Sequence, residues 1–359
     1  MTKSHDAGGH LVGAALESMG FAPQFHYGAT YPMQDQHSLL IEKVTSFRSA
    51  VMPNLLPQGG FRAVWLRRPE GPYLGDADLE EQDRRYASAL LDSYSNTLTA
   101  LQIAAYGSTA FWVNSFYGRM AASSKALQLS LARKHGLTTP PTLISNAPED
   151  VKSFFKKYGP LACKPLVMGG WGEWNVNRAT SLTARIDDIG LIPDASISIQ
   201  PAIYQPYIAK AFEVRTAIFG GRQFSIALNT QAEVASTVDA RGARWTAKNT
   251  RPFELPAELV ARCRALMADL GIVYGTFDFI VTPDEELVFL EVNEAGQTFF
   301  MEQIYPDMQV IDAFAHFLAQ RSLAGWKPSD KRRLQALERS DTYLRLREEA
   351  RQWVASPEL

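Results

Sequence analysis

Two short apolar runs joined by a turn constrain this chain more than any other feature. Residues 275–281 and 287–293 flank Thr282-Pro283-Asp284-Glu285-Glu286, a segment rich in hairpin-turn residues, and read as an antiparallel pair. The strand period of two puts Glu291 and Asn293 on one face of Phe289-Leu290-Glu291-Val292-Asn293, with Leu290 and Val292 on the other. Pairing would bring Asp278, from Phe277-Asp278-Phe279, beside them as a third oxygen donor. Two carboxylates and a carboxamide suit magnesium, which takes a few protein oxygens together with phosphate and water. The same pattern also serves an ordinary hairpin with its polar side outward, so the company these residues keep must decide.

That company lies upstream. Cys163-Lys164-Pro165 ends an apolar run and leads into Val167-Met168-Gly169-Gly170-Trp171-Gly172-Glu173. Glycine loops let backbone N–H groups approach phosphate oxygens, and lysine adds a compact positive charge. Alone, such a loop is usually a simple turn. Further on, Tyr204-Gln205-Pro206-Tyr207-Ile208-Ala209-Lys210 reads as an extended link between domains, followed by Glu213 and Arg215 on one face of a strand.

The remaining patterning predicts an α+β chain. Helices are expected over residues 11–19, 76–106 (one or two), 121–135, 148–158, 256–270 and 308–320, several closed by glycine. Strands are expected over 63–66, 111–114, 161–166, 197–200, 212–219 and 223–228, with Gly220-Gly221 turning the last pair. The domains expected are 1–115, 116–205 and 206–325, with 326–359 as a solvated helical tail.

Composition excludes several classes. Of 359 residues, 36 are Lys or Arg and 38 are Asp or Glu, so no basic field favours nucleic acid. No apolar run nears the roughly 18 residues of a membrane span, and no secretory signal opens the sequence. Two cysteines, Cys163 and Cys263, make neither a disulfide framework nor a metal spacing, which points to a reducing cytoplasm.

The order lysine, glycine loop, hinge strand, Glu, Asp, Glu-x-Asn resembles the ATP-grasp ligase superfamily. Residues 64–69, the 121–136 helix with Lys125 and Gln128, residues 141–146 and residues 289–297 are similar, more narrowly, to the microviridin-type, or graspetide, peptide maturases. The resemblance spans nearly the whole chain to about residue 320. It implies a three-domain ATP-grasp architecture: a pre-ATP-grasp N-terminal domain, then antiparallel sheets forming a nucleotide cleft. ATP and Mg2+ are the implied cofactors.

It also implies roles. Gln205, Tyr207 and Ile208 match the hinge that holds adenine, Leu290 joins the nucleotide contacts, and Glu213 matches the acid on the ribose. Lys125 and Lys164 match the phosphate-binding lysines, and Gly169, Gly170 and Gly172 match the loop above the phosphates. Asp278, Glu291 and Asn293 match the magnesium ligands; Arg215 and Arg241 match arginines near the reacting carboxylate. Two departures stand out: Glu294 and Thr298 occupy positions where relatives commonly carry Pro and Trp, so the acceptor or precursor pocket is expected to differ. The usual first strand before Ser4-His5-Asp6 is also missing, which implies a shortened N-terminal domain or a misassigned start.

The implied chemistry is phosphorylation of a substrate carboxylate to an acylphosphate, then attack by a hydroxyl or amine. The implied partner is a precursor peptide with acidic and hydroxyl or amine side chains, and a homodimer is compatible with the family. A ligase of free amino acids or small carboxylates is the alternative, and a non-catalytic nucleotide-binding protein is the alternative from another class. Arg67-Arg68 favours a peptide substrate or is a surface pair; Trp171 and Trp174 form a lid or pack the loop. His5, Asp6 and His10 read as a solvated or capping cluster, and Cys163 as a small core residue.

Overall fold

The computed structural model describes residues 2–3, 5–27, 36–42, 46–49, 61–67, 79–105, 110–166, 170–171, 179–180, 182–232, 237–240 and 243–351. Its first part holds α1 (Ala7–Ser18), the hairpin of β1 (His37–Leu40) and β2 (Ser46–Ser49), and α2 (Glu81–Ala105) between β3 (Ala63–Trp65) and β4 (Phe111–Val113). The last two strands pair in parallel.

The helix expected over 121–135 is two helices, α3 (Phe116–Ser123) and α4 (Lys125–Lys134). Ser124 breaks the run: its backbone is extended, and its hydroxyl accepts from the Leu127 N–H as the N-cap of α4. Gly118 of α3 lies against the end of another helix so closely that a Cβ would come within 2.2 Å of the Gly271 carbonyl oxygen.

A four-stranded antiparallel sheet follows. It is built from β5 (Leu143–Ser145), β6 (Leu161–Pro165), β9 (Ala184–Ile186) and β10 (Ala202–Pro206), in the order β5-β10-β6-β9. Between these strands lie α5 (Pro148–Tyr158), the short pair β7 (Gly170–Trp171) and β8 (Ala179–Thr180), and α6 (Asp194–Ser198). The strand expected over 197–200 is instead the end of a helix followed by a turn, because Pro193 and Asp194 start a helical turn there. Ile197 packs into the core while Ile199 stays exposed. Alternation works well in β6. Leu161 and Cys163 pack towards α5, while Ala162 and Lys164 line a cleft on the opposite face.

The larger sheet has five antiparallel strands: β11 (Phe212–Phe219), β12 (Arg222–Leu228), β13 (Thr250–Phe253), β14 (Tyr274–Val281) and β15 (Leu287–Asn293). Its order is β13-β12-β11-β14-β15, with α7 (Ala257–Leu270) between β13 and β14 in sequence. Gly220 and Gly221 both take positive φ, 56° and 86°, which the tight turn between β11 and β12 requires. One face of this sheet packs Val214, Phe277, Phe279, Phe289 and Val292 against α3, α4 and α7. The helix carrying Lys125 and Gln128 therefore sits on the five-stranded sheet.

The other face does two jobs. At one end Ala217, Phe219, Phe224, Ile226 and Tyr274 pack against α1 and α9 (Val310–Gln320), which follows the short α8 (Phe300–Ile304). At the other end Glu213, Arg215, Asp278 and Ile280 floor the cleft. The C-terminal segment is packed rather than solvated. In α10 (Leu334–Glu338) and α11 (Asp341–Arg351), Leu334, Leu337, Tyr343, Leu346 and Ala350 are buried, all but Ala350 in the core that α1 shares. The Arg- and Glu-rich side of that amphipathic pair faces water, which is why composition alone suggests a loose tail. Among the described residues no helix is long and apolar enough to cross a membrane. The antiparallel α+β class is as expected from the sequence.

Two N-terminal expectations change. Arg67 is only 6% exposed, ion-paired to the equally enclosed Asp6 and stacked over Trp65 and Phe299, so it braces the core; Arg68 lies outside the described residues. His10 is buried too, bonded to the Tyr27 hydroxyl at 3.1 Å. Burial works to raise the Asp6 carboxyl, but the Arg67 charge and the Thr2 hydroxyl outweigh it and hold the group below its ordinary 3.8. The pair therefore stabilises the fold above that pH and loses its contribution as pH falls through the lower folded-state value. Asp6→Asn, which strands a buried guanidinium, is expected to cost about 3–5 kcal/mol in urea unfolding at pH 7. An unchanged midpoint would refute that role.

Candidate active site

The cleft between the two sheets is a cavity of about 1190 Å3. That exceeds the roughly 300–1,000 Å3 of a small-molecule site and leaves room for a nucleotide beside part of a second substrate. Its floor depends on one irregularity. Asp278 pairs with Glu291, but the next residue, Phe279, pairs with Phe289, so Leu290 is an extra residue on β15. This β-bulge re-aims side chains. Strict alternation put Leu290 opposite Glu291; instead Leu290, Glu291 and Asn293 all line the cleft, while Phe289 and Val292 enter the core.

The three oxygen-bearing side chains meet. Asn293 Nδ2 donates to Glu291 Oε1 at 2.9 Å and to Asp278 Oδ2 at 3.2 Å, leaving its carbonyl oxygen outside those bonds. Lys125 Nζ lies 2.7 Å from Glu291 Oε2, and Arg215 Nη1 lies 3.6 Å from Asp278 Oδ1. Burial is the largest influence on both carboxylates. It prevails at Asp278, raising it above the usual range against Arg215; at Glu291 it is overcome by Lys125, which holds that group down. A crowded, electron-rich pocket that already attracts an ammonium fits a divalent cation. Among the described residues no group of three or more His, Cys, Asp or Glu side chains is placed for a metal ion; the trio here has an amide as third member.

Lys164 faces these groups from β6. Burial pulls its ammonium below its usual value, against Glu291 and Glu213. Glu213 ion-pairs with Lys210, an enclosed side chain that also donates to the Val238 carbonyl at 3.4 Å. Arg215 Nε is buried without a hydrogen-bond partner, an orphan donor suited to an anionic ligand.

The link between the sheets runs through Gln205, Tyr207 and Ile208, all of which line the cleft. Gln205 is buried, and its Nε2 donates to Thr142 Oγ1 at 3.0 Å; the Tyr207 N–H donates to the Pro160 carbonyl at 2.8 Å. From the opposite wall, Asp239 Oδ2 accepts the Thr183 N–H at 3.0 Å, joining the loop after β12 to the segment before β9. Thus Lys125, Lys164, Gln205, Tyr207, Ile208, Glu213, Arg215, Asp278, Leu290, Glu291 and Asn293 converge on one cavity. Gly170 lies in β7, whereas Gly169, Gly172, Trp174 and Arg241 lie outside the described residues.

No family model and no curated protein matches the sequence. Solved structures do. The macrocyclase MdnC from Microcystis aeruginosa MRC, crystallised with precursor peptide MdnA, is 26% identical with a TM-score of 0.73, over 89% of this chain and 98% of that one. The macrocyclase MdnB from the same source is 26% identical with a TM-score of 0.68, over 89% and 97%. A Chryseobacterium gregarium RiPP-associated ATP-grasp ligase, in complex with ADP and a leader and core peptide, is 22% identical with a TM-score of 0.75, over 89% and 96%. The chain has the ATP-grasp ligase fold. The peptide-maturase resemblance seen in the sequence thus extends to the three-dimensional structure.

Several residues in and behind this ATP-grasp cleft escape sequence reading. Lys210 closes the hinge segment, yet its pairing with Glu213 depends on the chain's path out of β10, which strand periodicity does not encode. Asn114 is wholly buried: it donates to the Tyr274 and Glu294 carbonyls, each at 2.8 Å, and accepts from the Val273 and Tyr274 N–H groups. Glu294, one of the two departures, takes Arg119 of α3 at 3.2 Å.

Because Asp278 is held above the ordinary carboxylate range, it ionises late, and cation binding here is expected to strengthen as pH rises through the weakly acidic region. Mn2+ titrations at several pH values will read this; pH-independent affinity would contradict it. Removing the charge with Glu291→Gln should lower ADP release about 10²–10³-fold while the circular dichroism spectrum is kept. Lys164→Ala should chiefly weaken ATP binding, and unchanged affinity in titration calorimetry would dismiss that contact.

Proposed function

We propose that this chain is an ATP-dependent, ADP-forming ligase that closes side-chain ester or amide rings in a ribosomally made precursor peptide. The observation that carries the reading is the convergence in one cleft of two lysines, the Asp278-Glu291-Asn293 trio and the orphan Arg215 donor. Asp278, Glu291 and the Asn293 carbonyl would hold Mg2+, which supplies charge neutralisation on the nucleotide phosphates. Lys125 and Lys164 hold those phosphates in place, and the hinge residues Gln205, Tyr207 and Ile208 receive the adenine end. Glu213 takes the ribose, beside the Lys210 ammonium.

A peptide carboxylate then attacks the γ-phosphoryl group in line, giving an acylphosphate and ADP. Arg215, joined by Arg241, orients the acyl group as a hydroxyl or amine attacks its carbon and phosphate leaves. Enclosing the cleft keeps water from the acylphosphate, a task for the glycine segment with Gly169, Gly170 and Gly172.

A peptide substrate is supported by the solved relatives, whose partners are a precursor peptide in one case and a leader and core peptide in another. A reducing cytoplasm is the setting this reading implies, and a homodimer is compatible with it. Co-expression with a short acidic, hydroxyl- or lysine-bearing peptide encoded beside the gene should give products lighter by one water per crosslink, with ADP and phosphate released. AMP with pyrophosphate, or turnover only with free amino acids, would overturn it.

A further inference from the structure

The strand that carries two of the three oxygen donors is the last of its sheet, so among the described residues its outer edge has no neighbouring strand. At Phe289 and Val292 its backbone groups are satisfied in another way. The Phe289 N–H donates to the Thr138 carbonyl at 2.8 Å. At Val292 both groups go to one side chain: the N–H donates to Gln128 Oε1 at 2.9 Å, and the carbonyl accepts from Gln128 Nε2 at 2.9 Å. The carboxamide of Gln128 therefore stands in for one residue of a sixth strand.

Gln128 is 1% exposed, and its Nε2 also donates to the Ala122 carbonyl. With both amide hydrogens on carbonyls and the oxygen on an N–H, the reverse amide orientation would leave all three contacts mismatched. Val292 sits between Glu291 and Asn293, so clamping its two peptide groups fixes the backbone from which both side chains project. One turn earlier on the same helix, Lys125 reaches Glu291. A single helix face thus grips the strand edge and supplies the cation beside it.

We propose that Gln128 is a positioning residue for the divalent cation, holding Glu291 and Asn293 in the register that lets them bind it together with Asp278. The inference rests on reading the cleft as a Mg2+-nucleotide site. Lys164 and the hinge come from the opposite sheet and make their contacts without this clamp. Loss of Gln128 should therefore divide nucleotide affinity from its metal dependence, a separation that mere loss of stability does not produce.

The test is titration calorimetry of ATP with and without Mg2+, on wild type, Gln128→Met and Gln128→Glu, supported by Mn2+ binding followed by electron paramagnetic resonance. Absence of any Mg2+ effect in the wild type would count against the function proposed above rather than against Gln128. Given a wild-type effect, Gln128→Met should bind metal-free ATP within about twofold of wild type and lose about 10–100-fold in cation affinity. Gln128→Glu keeps the acceptor for Val292 but not the donors, and should share the loss. Variants that melt earlier yet keep wild-type cation affinity would overturn the proposal. Hydrogen exchange on the wild type needs no variant: Mg2+ added to the ATP complex should further protect the Val292 amide, and unchanged protection would equally overturn it.

Discussion

The cleft depends on the pairing of β14 with β15 across the bulge at Leu290. Regular pairing without the extra residue would shift the strand by one and exchange its faces. With Phe279 kept opposite Phe289, Glu291 would then point into the aromatic core; with Asp278 kept opposite Glu291, Phe289 would instead turn into the cleft. The bulge permits both arrangements at once: Phe277, Phe279 and Phe289 remain together in the core, while Asp278, Glu291 and Asn293 gather on the other side. The fold's stability and the site's chemistry are thus set by the same local irregularity.

Around that strand pair the protein places opposite charges close together in a partly enclosed cleft. Lys125 on Glu291 and Arg215 near Asp278 keep two adjacent carboxylates tolerable in a buried setting. Groups so arranged need little reorganisation when a polyanion and a cation arrive together, the condition under which electrostatic stabilisation is most effective. Rigidity comes from the far half of the same sheet face, where Phe219 and Tyr274 pack against Phe314 of α9. The N-terminal helix and the C-terminal pair α10 and α11 close over that half, so regions distant in sequence share one core.

Much of this was legible from residue patterns. Alternation in β6 put Lys164 opposite Cys163, and the turn residues around Asp284 and at Gly220-Gly221 marked both hairpins. Local chemistry is enough for such features because hydrogen bonding and side-chain direction repeat every two residues. Reading failed where a local signal was overridden or ambiguous. Ser124 splits a continuous helical pattern, Pro193 and Asp194 turn an apolar run into helix, and the charged face of α11 hides its buried face. Arg67, which reads with Arg68 as a sign of a peptide substrate or as a surface pair, is enclosed because Asp6 from a distant segment meets it.

By itself the sequence determined the kinds of element, their order, and the chemical character of the groups available: oxygen donors at Asp278, Glu291 and Asn293, cations at Lys125, Lys164 and Arg215. These follow from periodicity and side-chain chemistry, which act over a few residues. Only the tertiary structure decided that Leu290 bulges into the cleft, that Lys125 reaches Glu291 across 166 positions of chain as the numbering runs, and that Gln128 completes the edge of β15. Those are contacts between segments brought together by burial of their apolar faces, and nothing within either segment encodes its partner.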